Sequence, residues 1–171
     1  MTGNLNMNMN IIASSSASWG IGSGSSLLFR IKEDMRYFKE KTTGNVVVMG
    51  RKTLDSLPGG EPLPDRVNIV LTRNKSFSRE GVTAVHSLDE LFDELKKYDC
   101  AVYVIGGGEI YRTLLPYCGR AYITRINAER EADVFLPDLD RDEKWQKTIH
   151  GETQTSRTGL EYSFDVYERI K

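Results

Sequence analysis

Asp34 is the side chain in this sequence whose neighbours most favour a chemical role. It lies in RIKEDMRYF (residues 30–38), where helical spacing places it beside the apolar stripe of Ile31 and Phe38. A carboxylate at this border could pair with a cationic or amidine-like heterocycle, because burial raises its pKa and a bound cation lowers it again. An acid in the first turn of a helix also complements the helix dipole. The pattern leaves both the binding role and the structural role open.

A strand followed by a glycine and two cations forms a second candidate site. VVVMGRKT (residues 46–53) is similar to the end of a phosphate loop, but the preceding glycine lies six residues before Gly50 instead of five. What remains is a strand, a glycine and a helix that opens with Arg51, Lys52 and Thr53. Free N–H groups at a helix start can bind phosphate. Ordinary surface charge explains the same residues.

Two further strand ends add candidate positions for an anion. VYVIGGGEIYR (residues 102–112) has three glycines that would let the backbone approach a ligand. It lacks the dinucleotide pattern GxGxxG, so a tight packing turn is the alternative. LTRN (residues 71–74) ends a strand with Thr72 and Arg73. Since open α/β sheets bind ligands at the carboxyl ends of strands, the three positions together favour a long ligand with several phosphates.

The elements that must position these residues alternate between strands and helices. Continuous apolar runs favour strands buried on both faces of a mostly parallel sheet, and alternation implies helices on both faces. Ser87 and Glu90 predict a capping box at one helix start. Residues 145–171 predict an antiparallel pair at one edge. The predicted strands are residues 10–13, 45–49, 66–72, 82–85, 101–105, 121–126 and 162–167; the helical stripes are Ile31, Met35 and Phe38, then Leu88, Leu91, Phe92 and Leu95, then Ile110 and Leu114.

The composition predicts one soluble, cytoplasmic domain. The chain has 171 residues, 39% of them hydrophobic, with 23 basic and 24 acidic side chains, which gives no support for nucleic-acid or membrane binding. Cys100 and Cys118 show no metal-ligand spacing and are predicted to be thiols. His86 and His150 are isolated, and no metal site is expected. Residues 1–8 are expected to be an extension, disordered or leading into the first strand, with the domain at residues 9–171.

The stretch SSSASWGIGSGSS (residues 14–26) combines seven serines and three glycines with a central tryptophan. It lies too near the start of the chain to join two domains. A long segment of this composition within a small domain is more often functional than a linker. We therefore expect a functional loop.

In this order and spacing, the motifs closely resemble dihydrofolate reductase over residues 9–169. The motifs on which the resemblance rests are WGIG, LLFRIKEDMRYFKEKT, VVVMGRKTLDSLP, PLPDRVNIVLTR, VIGGGEIYRTLLP, AYITRI and EADVFLPDL. The resemblance implies an α/β fold with about eight strands, a twisted and mostly parallel sheet, an antiparallel C-terminal edge and helices on both faces. It implies a monomer that reduces 7,8-dihydrofolate to tetrahydrofolate with NADPH, serves one-carbon and thymidylate metabolism, and binds antifolates.

The resemblance also assigns residues on the substrate side. Asp34 would pair with the pterin 2-amino group and N3, and Thr124 would hydrogen-bond both the acid and the pterin. Arg66 would bind the α-carboxylate of the glutamate tail, a bidentate task that suits guanidinium. Leu27 and Trp19 join the catalytic group. Residues expected to line the substrate cleft are Ile12, Ala13, Leu28, Met35, Phe38, Leu57 and Ile105.

On the cofactor side, the resemblance implies a pyrophosphate loop at Gly50 and a cis peptide bond between Gly106 and Gly107. Arg73 would bind the adenosine 2′-phosphate and so select NADPH over NADH. Further residues expected at the cofactor are Ala13, Ile21, Gly22, Arg51, Lys52, Thr53, Leu71, Thr72, Ile105, Gly108, Glu109, Ile110 and Tyr111.

Residues 15–28 match the family's mobile lid over the nicotinamide, with WGIG at its centre. Glycine and serine suit a segment that must open. Two other functions are alternatives to the reductase. One is a pyrimidine reductase of riboflavin synthesis on the same architecture, against which the placed acid and Arg66 argue. The other is a non-catalytic NADPH-binding module with an altered lid.

Overall fold

A mostly parallel sheet runs through the molecule and carries most of the candidate residues at its carboxyl edge. The computed structural model describes residues 8–23 and 26–171, so the expected extension lies almost wholly outside the described residues. The strand order is β10-β12-β8-β1-β7-β4-β5-β6, with β11 paired to β12. Strands from β8 to β6 are parallel, whereas β12 pairs antiparallel with both β8 and β10. The predicted fold class is confirmed, including the antiparallel C-terminal edge.

The sequence elements follow one another in short alternation. The strands are β1 (Met9–Ser15), β2 (Gly20–Ser23), β3 (Ser26–Leu27), β4 (Val46–Gly50), β5 (Val67–Leu71), β6 (Val82–Val85), β7 (Val102–Gly106), β8 (Arg120–Ile126), β9 (Val134–Phe135), β10 (Trp145–Ile149), β11 (Gln154–Thr155) and β12 (Glu161–Arg169). The helices are α1 (Lys32–Thr42), α2 (Arg51–Ser56), α3 (Leu88–Leu95) and α4 (Gly108–Leu114), with 3-10 turns at Pro58–Gly60 and Leu115–Tyr117.

Helices cover both faces of the sheet because the central strands are apolar on both sides. One face packs against α3 and α4; its buried residues include Ile11, Val46, Val48, Val104, Ile123, Leu91, Leu95 and Leu114. The opposite face packs against α1 and α2; its residues include Ile12, Val47, Met49, Val70, Leu54 and Phe38. Since side chains alternate along a strand, neighbouring residues of β8 face opposite layers.

Charges and caps explain where two helices begin and end. Helix α1 has Glu33 and Asp34 in its first turn and lysines in its last turn, an arrangement that complements its dipole. Helix α3 is capped by Ser87, whose Oγ accepts the Glu90 N–H at 3.1 Å, as predicted. The second bond of the capping box differs, because the Glu90 carboxylate accepts the N–H of His86 at 3.1 Å.

The serine- and glycine-rich stretch is more regular than the expected loop. Strand β1 continues to Ser15, and β2 forms a small sheet with β3 and β9. The backbone of Gly22 pairs with Leu27 on one side and Val134 on the other. Glycine and serine make up most of β2 and favour turns over strands. The pairing partner β9 lies more than 100 residues away in the chain. Residues 24 and 25 of this stretch lie outside the described residues.

The C-terminal edge contains a buried acid held by a cation. Asp165 on β12 is 1% exposed, and its Oδ2 lies 3.2 Å from Lys147 Nζ. Its Oδ1 accepts the N–H of Gly151 at 3.2 Å, and His150 Nδ1 lies at the same distance. The cation of Lys147 thus compensates a carboxylate that the fold has removed from water.

Replacing Lys147 with methionine should lower the free energy of unfolding by about 1–3 kcal/mol, because a buried charged group would lose its partner. Urea unfolding at neutral pH measures this change. Lys144→Met is the matched control, since Lys144 is exposed on the segment leading into β10. Equal losses in the two variants would contradict a specific role for the Lys147–Asp165 pair.

Both cysteines are free thiols, as predicted. Burial raises the pKa of Cys118 to about 12, so this thiol stays protonated at neutral pH. Among the described residues, no helix is long and apolar enough to cross a membrane.

Candidate active site

Asp34 and Thr124 meet at the carboxyl end of β8. Thr124 Oγ1 donates a hydrogen bond of 2.6 Å to Asp34 Oδ1, and Thr124 is buried, whereas Asp34 is partly exposed. Asp34 lies in the first turn of α1, so both interpretations of this residue apply: it complements the dipole and it faces a site. With Oδ1 held by Thr124, the carboxylate has a fixed orientation and a second oxygen that can accept from a ligand.

The acid lies in surroundings that resist its ionisation. Burial raises the pKa of Asp34 above its ordinary value, and the hydrogen bond from Thr124 offsets part of this rise. Burial raises the pKa of Tyr37 to about 12, and the nearby carboxylate of Asp34 adds to this rise. Burial and the charge of Asp34 also raise the pKa of Tyr111. The phenol of Tyr111 is therefore a donor at neutral pH, and it binds the Ile12 carbonyl at 2.8 Å.

Asp34→Asn should raise the melting temperature at neutral pH, because it removes a carboxylate that is harder to ionise in the folded state. The unfolded chain loses this proton near pH 3.8 and the folded chain only at a higher pH, so the stability of the wild type falls between the two values. At low pH, the melting temperatures of Asp34→Asn and wild type should be the same. As the pH rises through this range, the variant should melt progressively higher than wild type. The difference should then become constant, at about 2–4 °C for each kcal/mol of unfolding free energy recovered. A variant that melts lower than wild type at neutral pH would contradict the assignment.

The structure gathers much of the predicted substrate cleft into one apolar cluster. This cluster lies on the α1 side of the sheet, the side that Thr124 faces. Leu28 packs in a neighbouring cluster with Phe29 and Ile31, and Ala13 packs against the opposite face. Leu27 and Met35 are 56% and 55% exposed, which leaves large apolar side chains available to a ligand. The predicted members of the apolar cluster are Ile12, Phe38, Leu57 and Ile105.

Arg66 is held in a defined orientation beside the end of α1. Its Nε donates to the Pro64 carbonyl at 2.8 Å and its Nη1 donates to Thr42 Oγ1 at 3.0 Å. Burial lowers the pKa of this guanidinium, which nevertheless remains charged because arginine titrates far above neutral pH. Because two of its nitrogens already hold the guanidinium in place, its remaining N–H donors are oriented to bind a carboxylate.

On the cofactor side, the paired strands β4 and β7 both end in a glycine, Gly50 and Gly106. A side chain at Gly50 would meet Ile110 Cγ1 at 3.0 Å, and one at Gly107 would come within 3.6 Å of Thr53 Oγ1. The Gly106–Gly107 peptide bond is cis, as predicted. Gly106 has φ of +121° and packs on the ring of Tyr111. The turn before α4 and the start of α2 are thus adjacent, and glycines form the backbone on both sides.

The predicted phosphate-binding cations differ in how many contacts their side chains already make with the protein. Arg51 bonds Asp55 at 3.2 Å and stacks on the Phe77 ring. The side chain of Arg73 is 94% exposed and lies 3.5 Å from Glu109. Three more of the predicted residues lie near strand ends: Lys52 is exposed, and Leu71 and Thr72 are partly buried at the end of β5. Gly108 is buried at the start of α4.

Trp19 packs away from Asp34, and its catalytic role stays a prediction. Its ring is 4% exposed, contacts Tyr167 edge to face at 5.7 Å and lies under Arg125 at 3.8 Å. Arg125 follows Thr124 on β8, so its side chain faces the layer opposite to Asp34. Trp19 is therefore a core residue at the base of the lid. Ile21 and Gly22, also assigned to the lid centre, are buried, and the Gly22 carbonyl accepts the N–H of Asp133.

Two arginines that sequence reasoning missed contact the lid. Arg125 donates to Ser15, Ser16 and Ala17, and Arg130 donates to the Leu28 carbonyl. Arg125 lies within AYITRI, beside Thr124, and Arg130 directly precedes EADVFLPDL. Their signal was weak because exposed loops commonly carry arginine, and only the fold shows that both face the same segment.

The described residues contain no group of three His, Cys, Asp or Glu side chains that could hold a metal ion. The site instead combines a held carboxylate with a glycine-lined gap at the carboxyl edge of a parallel sheet. This combination is typical of an α/β enzyme that binds its ligands at the carboxyl edge of the sheet. The chain belongs to the dihydrofolate reductase family: the sequence model described as dihydrofolate reductase matches residues 8–169.

Relatives support this assignment over most of the chain. The chain is 40% identical over 153 residues to dihydrofolate reductase of Mycobacterium tuberculosis, covering 87% of this chain and 90% of that protein. It is 35% identical over 151 residues to the Staphylococcus haemolyticus enzyme, covering 88% and 89%. Among solved structures, dihydrofolate reductase from Enterococcus faecalis complexed with NADP(H) and RAB-propyl aligns with a TM-score of 0.87 and 30% identity, covering 95% of this chain and 96% of that one.

Proposed function

We propose that this protein reduces 7,8-dihydrofolate to 5,6,7,8-tetrahydrofolate, with a hydride added at C6 and a proton at N5, using NADPH. The observation that carries the proposal is the carboxylate of Asp34, fixed by Thr124 at 2.6 Å inside a partly buried pocket. In a member of the dihydrofolate reductase family, this is the group suited to a flat heterocycle with paired N–H donors.

Asp34 and Thr124 bind and orient the ring. The two carboxylate oxygens can accept from the 2-amino group and N3, a bidentate arrangement that fixes the plane of the heterocycle. Thr124 gives its only proton to Asp34, so its own lone pairs can accept a further ligand donor. Orientation of the reacting carbon is the chief contribution that the protein makes to a hydride transfer.

The apolar cluster and Arg66 hold the rest of the substrate. Phe38 and Leu57 pack on the aromatic middle of the molecule, and Ile12 and Ile105 border the ring. Leu27, Leu28 and Met35 line the open side. Arg66, whose guanidinium is already fixed by Pro64 and Thr42, binds the α-carboxylate of the glutamate tail.

The glycine-lined gap fits a dinucleotide. The adjacent turns at Gly50 and Gly107 carry no side chains of their own, with Ile110 and Thr53 beside them, and Arg73 presents an exposed guanidinium for a 2′-phosphate. NADPH, when bound there, supplies the hydride. Residues proposed to hold it are Ala13, Ile21, Gly22, Gly50, Arg51, Lys52, Thr53, Leu71, Thr72, Arg73, Ile105, Gly106, Gly107, Gly108, Glu109, Ile110 and Tyr111.

The segment at residues 15–28 acts as the lid that excludes bulk water from the reacting atoms. Asp34 binds the substrate, and the proton for N5 comes from a water that the lid admits. We place the protein in the cytoplasm, as a monomer that also binds antifolates of the family.

A coupled assay on the purified protein tests the proposal. NADPH absorbance should fall when dihydrofolate is added, more slowly with NADH, and not with the pyrimidine substrate of riboflavin synthesis. NADPH binding without consumption of dihydrofolate would contradict the reaction. Oxidation driven by the pyrimidine in place of dihydrofolate would contradict the substrate.

A further inference from the structure

We propose that Asn68 is a positioning residue, whose buried amide fixes the turn that presents Arg66 to the α-carboxylate of the substrate. This role rests on the proposed function, in which Arg66 binds the glutamate tail. Asn68 is the second residue of β5 and lies two positions after Arg66. It is 3% exposed, so it acts on the substrate through Arg66 and not by a contact of its own.

The side-chain amide of Asn68 closes the turn at residues 63–66 from both sides. Its Oδ1 accepts the N–H of Leu63 at 2.9 Å. Its Nδ2 donates to the Leu63 carbonyl at 2.9 Å and to the Arg66 carbonyl at 3.1 Å. An amide can make this set of bonds because it carries two donors and an acceptor, whereas an ionised aspartate of the same shape has no donor.

The turn needs this support because one of its residues has an unfavourable backbone conformation. Asp65 has φ of +60°, in the left-handed region that favours glycine. Hydrogen bonds around it hold this conformation: the Asp65 carbonyl accepts the N–H of Gly44 at 2.8 Å, while Asn68 bonds Leu63 before it and Arg66 after it. Without the amide of Asn68, the turn would lose the bonds that join its two ends.

The same turn fixes the guanidinium of Arg66. The Nε donates to the Pro64 carbonyl within the turn at 2.8 Å, and the Nη1 donates to Thr42 Oγ1 on α1 at 3.0 Å. Thr42 is fully buried and gives its hydroxyl proton to the Phe38 carbonyl at 2.8 Å, so its oxygen is an acceptor for Arg66. A shift of the turn would move Nε while Thr42 still holds Nη1, and the guanidinium would lose the orientation that bidentate binding of a carboxylate requires.

Packing alone does not call for an amide in this layer of the protein. Asn68 pairs with Val47 on β4 and lies on the same face as Val70, and both valines are fully buried in the apolar cluster. Burial of a polar side chain there costs free energy unless its hydrogen bonds are made. All three hydrogen bonds of Asn68 go to the turn at residues 63–66, so the position serves the geometry of that turn.

The test compares folate with its α-monoamide, in which an uncharged amide replaces the carboxylate that Arg66 binds. The γ-monoamide is the ligand control, because it has the same charge as the α-monoamide and keeps the α-carboxylate. Isothermal titration calorimetry of wild type and Asn68→Ala gives the dissociation constant of each ligand.

Asn10→Ala is the matched control variant. Asn10 is 5% exposed, and its Nδ2 likewise donates to two backbone carbonyls, those of Asn8 and Val102. It lies on β1, which β7 and β4 separate from β5. This variant therefore loses a buried amide of the same kind away from Arg66.

Wild type should bind folate about 10- to 100-fold more tightly than the α-monoamide, the range for hydrogen bonds to a charged group. Asn68→Ala should reduce this ratio by about fivefold or more, as for residues that share one hydrogen-bond network, with little change in affinity for the α-monoamide. Asn10→Ala should keep the wild-type ratio. In an Arg66→Ala background, where the ratio is already lost, adding Asn68→Ala should not change it further.

Asn68→Ser is a second variant that keeps a polar group at this position. It should reduce the ratio in the same direction, which keeps the test open if Asn68→Ala folds poorly. Binding of the α-monoamide with wild-type affinity shows in each variant that the pterin pocket is intact.

A wild-type ratio in the Asn68 variants would overturn the inference, and so would an equal weakening of folate and the α-monoamide. Equal losses of the ratio in Asn10→Ala would also overturn it. A wild type that binds folate and the α-monoamide equally would overturn both the inference and the role of Arg66. A wild type that distinguishes the two ligands but does not consume NADPH with dihydrofolate would refute the proposed reaction alone, because the ratio is measured by binding.

Discussion

Asp34→Asn should lower kcat with dihydrofolate by about 100- to 1000-fold at neutral pH, the usual range when one preorganised polar group of an active site is lost. Asparagine keeps the size of the side chain and can still accept from Thr124, but it replaces one acceptor oxygen with an N–H₂ donor that opposes the donors of the pterin. NADPH affinity should be nearly unchanged, because the glycine-lined gap does not include this residue. Steady-state kinetics and NADPH titration measure the two effects.

Glu33→Gln is the control for this variant. Glu33 is the neighbouring acid in the first turn of α1, so its loss changes the charge at the helix start without changing the carboxylate that bonds Thr124. Its kcat should stay within about twofold of wild type, as for a surface charge of small energetic effect. Because Asp34→Asn is expected to melt higher than wild type, loss of fold would not explain its lost turnover. Near-normal turnover in Asp34→Asn would remove the role assigned to the acid.

Arg73→Ala should weaken NADPH binding by about 10- to 100-fold, the range for losing hydrogen bonds to a charged group, and should leave NADH binding nearly unchanged. Arg73 lies at the end of β5 with its side chain free in solvent apart from Glu109. A 2′-phosphate would replace that single carboxylate with a stronger anion. Binding titrations with both cofactors, at low and high salt, measure the difference, which should shrink as salt screens the charges.

Two further variants distinguish a specific contact between Arg73 and the 2′-phosphate from a general effect of surface charge. Lys75→Ala removes a neighbouring exposed cation and should affect NADPH and NADH alike. Glu109→Gln removes the competing carboxylate 3.5 Å from Arg73 and should tighten NADPH slightly. Equal losses of NADPH and NADH in Arg73→Ala would place the 2′-phosphate elsewhere.

The sheet was predictable because its strands carry their own signal. VVVMG, VNIVL and VYVIG are continuous apolar runs, and burial on both faces requires such runs. The antiparallel edge was predictable from the alternating residues of β12. The small sheet of β2, β3 and β9 was not, since its strands are two to four residues long and its glycines and serines are typical of turns.

The site was predictable where one residue type suits one task. The pairing of Asp34 with Thr124 and the cis bond between Gly106 and Gly107 followed from the family resemblance, and the structure has both. The position of Trp19 did not follow, because a sequence does not show which layer a loop aromatic enters. Arg125 was missed for a related reason: its partners are the Ser15 hydroxyl and the Ser16 and Ala17 carbonyls, 108 to 110 residues away.

The central claim is that Asp34 holds the heterocycle. A crystal structure of the protein with folate and NADP⁺ tests it most directly. We expect both carboxylate oxygens of Asp34 to lie at about 2.7–2.9 Å from the 2-amino nitrogen and N3 of the pterin, with Thr124 still bonded to the acid. A pterin bound away from α1, with Asp34 turned toward solvent, would contradict the account.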